Sequence, residues 1–354
     1  MKIALRNQNI IFYNTNLSKS ILLAVLFLFS AVSFSKPDFI VAKDGSGNYK
    51  SIQEALNAVP TLHEKTFIIF IKNGLYDEKI FIEKSSIALI GESRDSTIIM
   101  YAELRKNWRE KNPNDYGAGV VNIKNNVKDL IFCSLTIHNN YGSLYGDNDH
   151  QFAIRAGEGV TRIIIDDCNI IADGGDTVAL WNNEDGMYYH RNCYFEGYVD
   201  YVCPRGYCFI ENSKFYGHNL TASIWHDGSN NEDHKLVIVN SQFDGVEGFP
   251  LGRFHRDAQF YLLNCSFSKN MADKKIFFAP SNPPRVLQWG EERIYFYNCH
   301  RDGEDFDWFR DNLELAKGQP KPEEINALWT FNNKWNPISV IDKLRKELAN
   351  PNGK

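Results

Sequence analysis

The chain of 354 residues lacks several features on which common functions depend. No stripe of lysine and arginine offers contacts to nucleic-acid phosphates, and the formal net charge is −5. The cysteines and histidines follow no zinc spacing. The glycine-rich stretch AKDGSGNY, residues 42–49, matches neither GxGxxG nor GxxxxGK[ST]. We therefore expect no metal, no nucleotide cofactor and no nucleic-acid partner.

Long apolar runs are also scarce. The run from Ile21 to Phe34 is shorter than the roughly 20 residues that span a bilayer. Three cations and no acid precede the run: Lys2, Arg6 and Lys19. This pattern is typical of a secretory signal peptide over residues 1–35, and a single membrane anchor is the alternative. Loss of the three cations changes the net charge from −5 to −8, and no later stretch could cross a membrane.

Helical periodicity is nearly absent from the middle of the chain, where short apolar runs alternate with polar turns. In six of these runs the apolar residues lead to Asp or Asn and then to Cys or Ser, at Cys168, Cys193, Ser213, Ser241, Cys265 and Cys299. This repetition predicts strands with an inward stack of small side chains, in which free cysteine behaves as a small hydrophobe. The preceding asparagines are expected to form an amide ladder. Cys133 is assigned to an earlier coil, and Cys203 and Cys208 flank a turn where a local disulfide is one alternative.

A second recurrence involves five residues with chemical or recognition potential. Their separations are 25, 24, 25 and 28, and they are Gln151, Asp176, Asp200, Trp225 and Arg253. An interval of this size is a solenoid period, so equivalent residues on neighbouring coils would lie one strand spacing apart, roughly 4.8 Å. The two recurrences together predict an all-β fold, a right-handed parallel β-helix with the five residues in one line.

The ends of the chain follow other patterns. Ser51 with Glu54 predicts a capping box, and the helix that follows, ending at Pro60, is expected to cover the N-terminal end of the β-helix. We assign the β-helix domain to residues 36–300. Residues 301–354 form a tail, rich in Trp, Phe and acids and ending in a short helix, which is expected to pack on the β-helix.

Five segments resemble the motifs of pectin methylesterases, family 8 of the carbohydrate esterases. They occur in the order that the family shows, between about Asp38 and Cys299, and read VAKDGSGNYKSIQEALNAVP, HQFAIR, GGDT, GYVDYV and LGRFH. The resemblance implies a right-handed parallel β-helix without a cofactor. It also implies an exported esterase, expected to be a monomer in the periplasm or outside the cell, that acts on pectin in pectin catabolism or cell-wall modification.

The resemblance also implies roles for four residues. Asp200 matches the nucleophile, Asp176 the general acid/base, Gln151 an oxyanion donor and Arg253 the arginine that hydrogen-bonds the nucleophile. The chemistry requires one ionised carboxylate and a second that carries a proton, and two carboxylates one coil apart disfavour double ionisation.

The sequence departs from the family pattern at two places. Gly175 stands where the family usually has a second glutamine, and Phe254 and His255 follow the LGR motif where the family has Pro and Trp. Five residues are candidates to contact the sugar: Trp225, Trp181, Tyr201, His255 and Tyr145. Alternatives to a pectinesterase are an esterase for another acidic polysaccharide, a carbohydrate-binding relative with weakened catalysis, and a β-helix lyase or glycoside hydrolase.

Overall fold

The computed structural model describes residues 37–349. The expected signal peptide, residues 1–35, lies outside the described residues. Contacts between Cα atoms group Pro37–Asp342 into one compact unit, and all the strands of the described residues belong to it.

Every strand pair among the described residues is parallel, and the strands coil through three sheets in turn. The first sheet has ten strands, in the spatial order β1 (Phe39–Val41), β2 (Phe67–Ile71), β5 (Ile87–Gly91), β8 (Lys128–Cys133), β11 (Thr161–Asp166), β14 (Met187–Arg191), β16 (Tyr207–Glu211), β19 (Leu236–Val239), β22 (Phe260–Leu263) and β25 (Ile294–Tyr297). The second has nine, in the order β3 (Gly74–Asp77), β6 (Thr97–Tyr101), β9 (Thr136–Asn139), β12 (Asn169–Ala172), β15 (Tyr194–Gly197), β17 (Lys214–Gly217), β20 (Gln242–Gly245), β23 (Ser266–Phe267) and β26 (His300–Arg301).

The third sheet consists of two strips. One contains β4 (Ile80–Ile82), β7 (Gly119–Ile123), β10 (Phe152–Ala156) and β13 (Val178–Leu180), and the other β18 (Ile224–Trp225), β21 (Gly252–Phe254) and β24 (Phe277–Phe278). Isolated bridges from Val178 to Val202 and from Val202 to Ile224 join the strips. The fold is the expected right-handed parallel β-helix.

The core lies between the three sheets. One stack of inward side chains shows its regularity, since Phe195, Phe215, Phe243 and Phe267 are paired in register on successive coils of the second sheet. The rings of Phe215 and Phe243 are parallel, with centroids 4.3 Å apart. Each ring is almost fully buried, and burying a side chain of this size contributes about 1.5–3 kcal/mol.

The repeated Cys or Ser motif forms the predicted inward stack. Its six small residues are buried at corresponding turns. The asparagine before five of them has a positive φ of 50–55°, a left-handed conformation that Asn tolerates well: Asn192, Asn212, Asn240, Asn264 and Asn298. Their amides form part of the expected ladder, since Asn298 donates to Asn264 (2.8 Å) and Asn264 to Asn240 (3.2 Å).

Cys203 and Cys208 are both thiols. The disulfide considered for this pair is therefore absent. The reason is that Cys208 faces the main core, whereas Cys203 belongs to a small apolar cluster with Phe152, Ala179 and Trp225. Cys133 does belong to an earlier coil, but it pairs with Asp166 and so stands outside the inward stack.

Short helices lie between and after the strands of the coils. They are α1 (Ile52–Ala58), α2 (Arg105–Lys111), α3 (Tyr141–Tyr145), α4 (Ala327–Thr330) and α5 (Pro337–Ala349), with 3₁₀ turns at Asp307–Phe309 and Pro322–Glu324. Ser51 caps α1 by accepting from the Glu54 amide at 3.3 Å. The expected capping box is only half formed, because Glu78 takes the acidic role and accepts from the amides of Ile52 and Gln53.

Candidate active site

The predicted line of five residues is divided into two lines by the register of the third sheet. Asp176 and Asp200 each stand two residues before the bridged pair Val178 and Val202, so they occupy equivalent positions on adjacent coils. Their backbones have positive φ values, 59° and 52°. Such conformations are costly for most residues and cluster at functional sites.

Trp225 and Arg253 form the second line. They pair directly between β18 and β21, three residues further along the coil than the aspartates. Gln151 is outside both lines, because its backbone amide donates to the Gly175 carbonyl (2.9 Å), one residue before Asp176. Nearly equal intervals did not give equal register, since the turns between strands differ in length.

The side chain of Arg253 extends from the second line to Asp200 in the first. Its Nε donates to Oδ1 at 3.0 Å, and its Nη2 donates to Oδ2 at 2.8 Å. A two-pronged, charge-assisted contact of this kind fixes both the position and the rotation of the carboxylate. The predicted partnership of these two residues is present in the structure.

The two aspartates are equally buried, with 7% exposure each, but differ in their partners. The pKa of Asp176 is raised to about 7: burial is the largest cause, the charge of Asp200 adds to the rise, and His150 and two arginines oppose it. Burial also raises the pKa of Asp200, and its hydrogen bond to Arg253 opposes this effect. Asp200 is therefore the group held as a carboxylate, and Asp176 is the group placed to keep a proton near neutral pH.

The aspartates open into a cleft of about 180 Å³. The residues that line it are His150, Asp176, Trp181, Asp200, Cys203, Arg205, Trp225, Arg253 and His255. Burial raises the pKa of the Cys203 thiol, which argues against a thiolate nucleophile. Among residues 37–349, no group of three or more His, Cys, Asp or Glu side chains is arranged to hold a metal ion.

Gln151 does not line this cleft. Its side chain is fully buried, and its amide nitrogen donates to the carbonyls of Asp147 (2.6 Å) and Asp173 (3.3 Å). Its oxygen accepts from the Gly142 amide at 3.0 Å. Both amide hydrogens therefore have backbone partners. The side chain holds the neighbouring loop in position and does not face the aspartates.

The predicted sugar contacts divide into two groups. Trp181, Trp225 and His255 line the cleft, and Trp225 donates from Nε1 to His255 Nδ1 at 2.9 Å. Burial lowers the pKa of His255 to about 4, so its imidazole is neutral and accepts this bond.

Tyr201 and Tyr145 are not part of the cleft. Tyr201 is fully buried against Phe215, because the residue after Asp200 turns inward. Tyr145 is 65% exposed at the end of α3, where its ring contacts Tyr141 with centroids 4.5 Å apart. The structure thus contradicts the assignment of Tyr201, whose side chain is buried, and places Tyr145 outside the cleft.

Three cleft residues were absent from the predicted site: His150, Cys203 and Arg205. His150 directly precedes Gln151 in the HQFAIR motif. Its position next to a predicted site residue was the signal in the sequence that could have identified it. Arg205 follows Asp200 by five residues, and its guanidinium lies 4.8 Å from the Trp181 ring and 5.7 Å from the Trp225 ring. Sequence alone gave no indication that these two rings would flank it.

The pectinesterase family model matches residues 38–232, more than half of the chain. A pectinesterase of Petunia integrifolia is 33% identical over 186 residues, which are 52% of this chain and 46% of that protein. The chain thus spans less than half of that curated relative's length.

Solved structures resemble this chain in fold. A pectin methylesterase from Erwinia chrysanthemi has a TM-score of 0.67 at 20% identity, and a pectin methylesterase in complex with a hexasaccharide has a TM-score of 0.65 at 19% identity. Each comparison covers 86% of this chain and 99% of the other. The family match, together with the paired aspartates and the fold, establishes that this chain belongs to the pectinesterase family.

Proposed function

We propose that the protein is an exported esterase that hydrolyses methyl esters of galacturonate in pectin. The observation that carries the proposal is the contrast between two neighbouring carboxyls: Asp200 is held by Arg253 through two hydrogen bonds, and Asp176 keeps a proton near neutral pH. A nucleophile and a general acid need these opposite properties.

In the first half of the reaction, an oxygen of Asp200 attacks the ester carbonyl carbon. The tetrahedral intermediate collapses as Asp176 gives its proton to the departing methoxide oxygen, so methanol leaves and an acyl-aspartate remains. The location of Asp176 one coil from Asp200 supports this proton transfer.

In the second half, the Asp176 carboxylate takes a proton from water while the water oxygen attacks the acyl carbon. Asp200 leaves as a carboxylate and regains its hydrogen bonds to Arg253. Asp176 is protonated again, and the polymer leaves with a free carboxylic acid.

The charge and the rings of the cleft support an acidic polysaccharide as substrate. Arg205 lies beside Trp181 and Trp225, and Arg253 and His255 complete the wall. Indole rings suit contact with the apolar faces of sugars, and a guanidinium suits a carboxylate. In this proposal residues 1–35 direct export and are removed, residues 36–300 carry the catalytic site, and residues 301–354 form the packed tail of a monomer.

One observation favours a second candidate. The Gln151 amide has backbone partners and Gly175 has no side chain, so neither position offers the family's usual donor to the cleft. An esterase for a different acidic polysaccharide, or a carbohydrate-binding relative with weak catalysis, fits this feature.

The test is methanol release from highly methylated pectin by residues 36–354. We expect release by the unaltered protein and none above background from Asp200→Ala, with a native circular dichroism spectrum for both. Release that is unchanged in Asp200→Ala would refute the assignment of the nucleophile. Binding of pectin without release by the unaltered protein would favour the second candidate.

A further inference from the structure

The proposed hydrolysis develops negative charge on the ester carbonyl oxygen when Asp200 attacks. Stabilising such an oxyanion needs a donor in the cleft, and loss of one donor typically costs about 100- to 1000-fold in rate. Gln151 does not supply the donor, because its amide nitrogen is directed to the carbonyls of Asp147 and Asp173. Gly175, on the neighbouring coil, has no side chain.

Three other side chains that line the cleft use N–H groups in hydrogen bonds within the protein. Trp181 donates from Nε1 to the Cys203 carbonyl at 3.1 Å, and Trp225 donates to His255. Arg253 uses Nε and Nη2 to hold Asp200. These contacts position the nucleophile and the cleft wall.

His150 differs from these groups because one side of its ring faces the cleft. Its Nε2 lies 3.7 Å from Asp176 Oδ2, which is beyond hydrogen-bonding distance. Its Nδ1 lies 2.5 Å from Asp149 Oδ1, and the same oxygen accepts from the His150 backbone amide at 2.7 Å. Asp149 therefore holds the ring in one orientation.

We propose that His150 is an additional catalytic residue of this chain, whose imidazolium Nε2–H donates to the oxyanion formed by attack of Asp200. The inference rests on the proposed esterase function. An imidazolium has an N–H on both ring nitrogens, so the Asp149 contact occupies one and leaves the other for the substrate.

The electrostatics of the cleft agree with this location. The charge of His150 lowers the pKa of both Asp176 and Asp200, so it acts on the two carboxyls that flank the reacting ester. On its outer side the ring borders a surface pocket lined by Arg105, Lys106, Arg109, Glu110 and Asp149. A hydrogen-bond donor between Asp149 and the aspartates is well placed to stabilise negative charge that develops in the cleft.

The test uses His150→Ala and His150→Gln in the mature chain, with kcat and KM measured from methanol release. We expect His150→Ala to lower kcat by about 100- to 1000-fold with KM changed less than threefold, since the donor acts in the transition state. His150→Gln keeps an amide donor and should recover at least tenfold of the lost kcat.

A matched control is His218→Ala. His218 is also a partly exposed histidine paired with a carboxylate, Glu196 at 2.7 Å, but it is not part of the cleft. Its kcat should stay within twofold of the unaltered protein.

The outcomes separate the two proposals. A kcat of His150→Ala within threefold of the unaltered enzyme overturns the role of His150 and leaves the esterase proposal intact. Equal losses in His150→Ala and His150→Gln, with native spectra, also overturn the donor role. Absence of methanol release from the unaltered protein refutes the proposed function and this inference with it.

Discussion

At the scale of single residues, the site shows how two identical side chains acquire different chemistry. Asp176 and Asp200 have the same exposure and the same left-handed backbone. Only Asp200 receives a two-pronged contact from Arg253, whereas the basic side chain paired with Asp176 is His150, whose Nε2 lies 3.7 Å from Oδ2. The difference in partners, and not in burial, separates the two roles.

The raised pKa of Asp176 predicts a stability that depends on pH. Its folded-state pKa, about 7, exceeds that of an unfolded aspartate, about 3.9, so the folded protein binds more protons between these values. The contribution of this group therefore lowers the stability as pH rises from about 4 to 7, by up to roughly 4 kcal/mol.

We expect Asp176→Asn to remove this loss. Its free energy of unfolding, from urea titrations, should exceed that of the unaltered protein more at pH 8 than at pH 4.5, because the amide does not ionise. An equal difference at the two pH values would show that Asp176 is ionised at both. The same variant should release methanol only at a trace rate.

At the scale of elements, the coils depend on residues that accept a left-handed backbone at the turns. Asparagine supplies this conformation at five turns, and the two aspartates supply it in the third sheet. The same backbone state therefore serves a structural ladder in one place and directs catalytic side chains in another. Gly175 directly precedes Asp176, and the space for a side chain at Gly175 is also restricted.

The space at Gly175 predicts that restoring the family's glutamine would not succeed by itself. A Cβ at this position would lie 2.8 Å from Val199 Cγ1 and 3.0 Å from the Val199 carbonyl oxygen. We expect Gly175→Gln to lower the free energy of unfolding by about 1–3 kcal/mol, the usual effect of overpacking, and not to raise kcat.

The double variant Gly175→Gln with Val199→Ala separates packing from chemistry. It removes the closest contact, so it should be more stable than Gly175→Gln alone, as measured by urea unfolding. A stable Gly175→Gln protein with raised methanol release would contradict this prediction and show that the site accepts a second amide donor.

At the scale of the unit Pro37–Asp342, a stack of parallel strands has an edge at its last coil. The backbone N–H and C=O groups on that edge have no neighbouring strand to bond. Asn312 satisfies them at β25, where its Oδ1 accepts from the Phe296 amide (2.7 Å) and its Nδ2 donates to the Ile294 carbonyl (2.9 Å). Asp311 accepts from the Asn298 amide at 2.7 Å. The tail thus blocks an edge that could pair with another chain.

We expect Asn312→Ala to lower the free energy of unfolding by about 1–3 kcal/mol, because two partly buried backbone groups lose their partners. The variant should also associate at high concentration, which light scattering would detect. Asn57→Ala, at an exposed position of α1, is the control and should change the stability by less than about 0.5 kcal/mol. A stability of Asn312→Ala equal to that of the control would contradict the proposed closure of the edge.

No helix among residues 37–349 is both long and apolar enough to cross a bilayer.

The strand repeat itself was predictable, because small residues after Asn or Asp recur wherever the chain turns into the core. Asp176, Asp200 and Arg253 were predicted from a different signal, the segments GGDT, GYVDYV and LGRFH that resemble the family's motifs.

The sequence by itself determined the parallel β-helix, the buried Cys and Ser stack and the proximity of the two aspartates. These features depend on local turn chemistry and on a repeat of nearly constant length. Only the tertiary structure decided which side chains enter the cleft, because the direction of a side chain depends on register and backbone conformation. It turned Gln151 and Tyr201 away from the cleft, brought His150 and Arg205 into it, and separated Cys203 from Cys208.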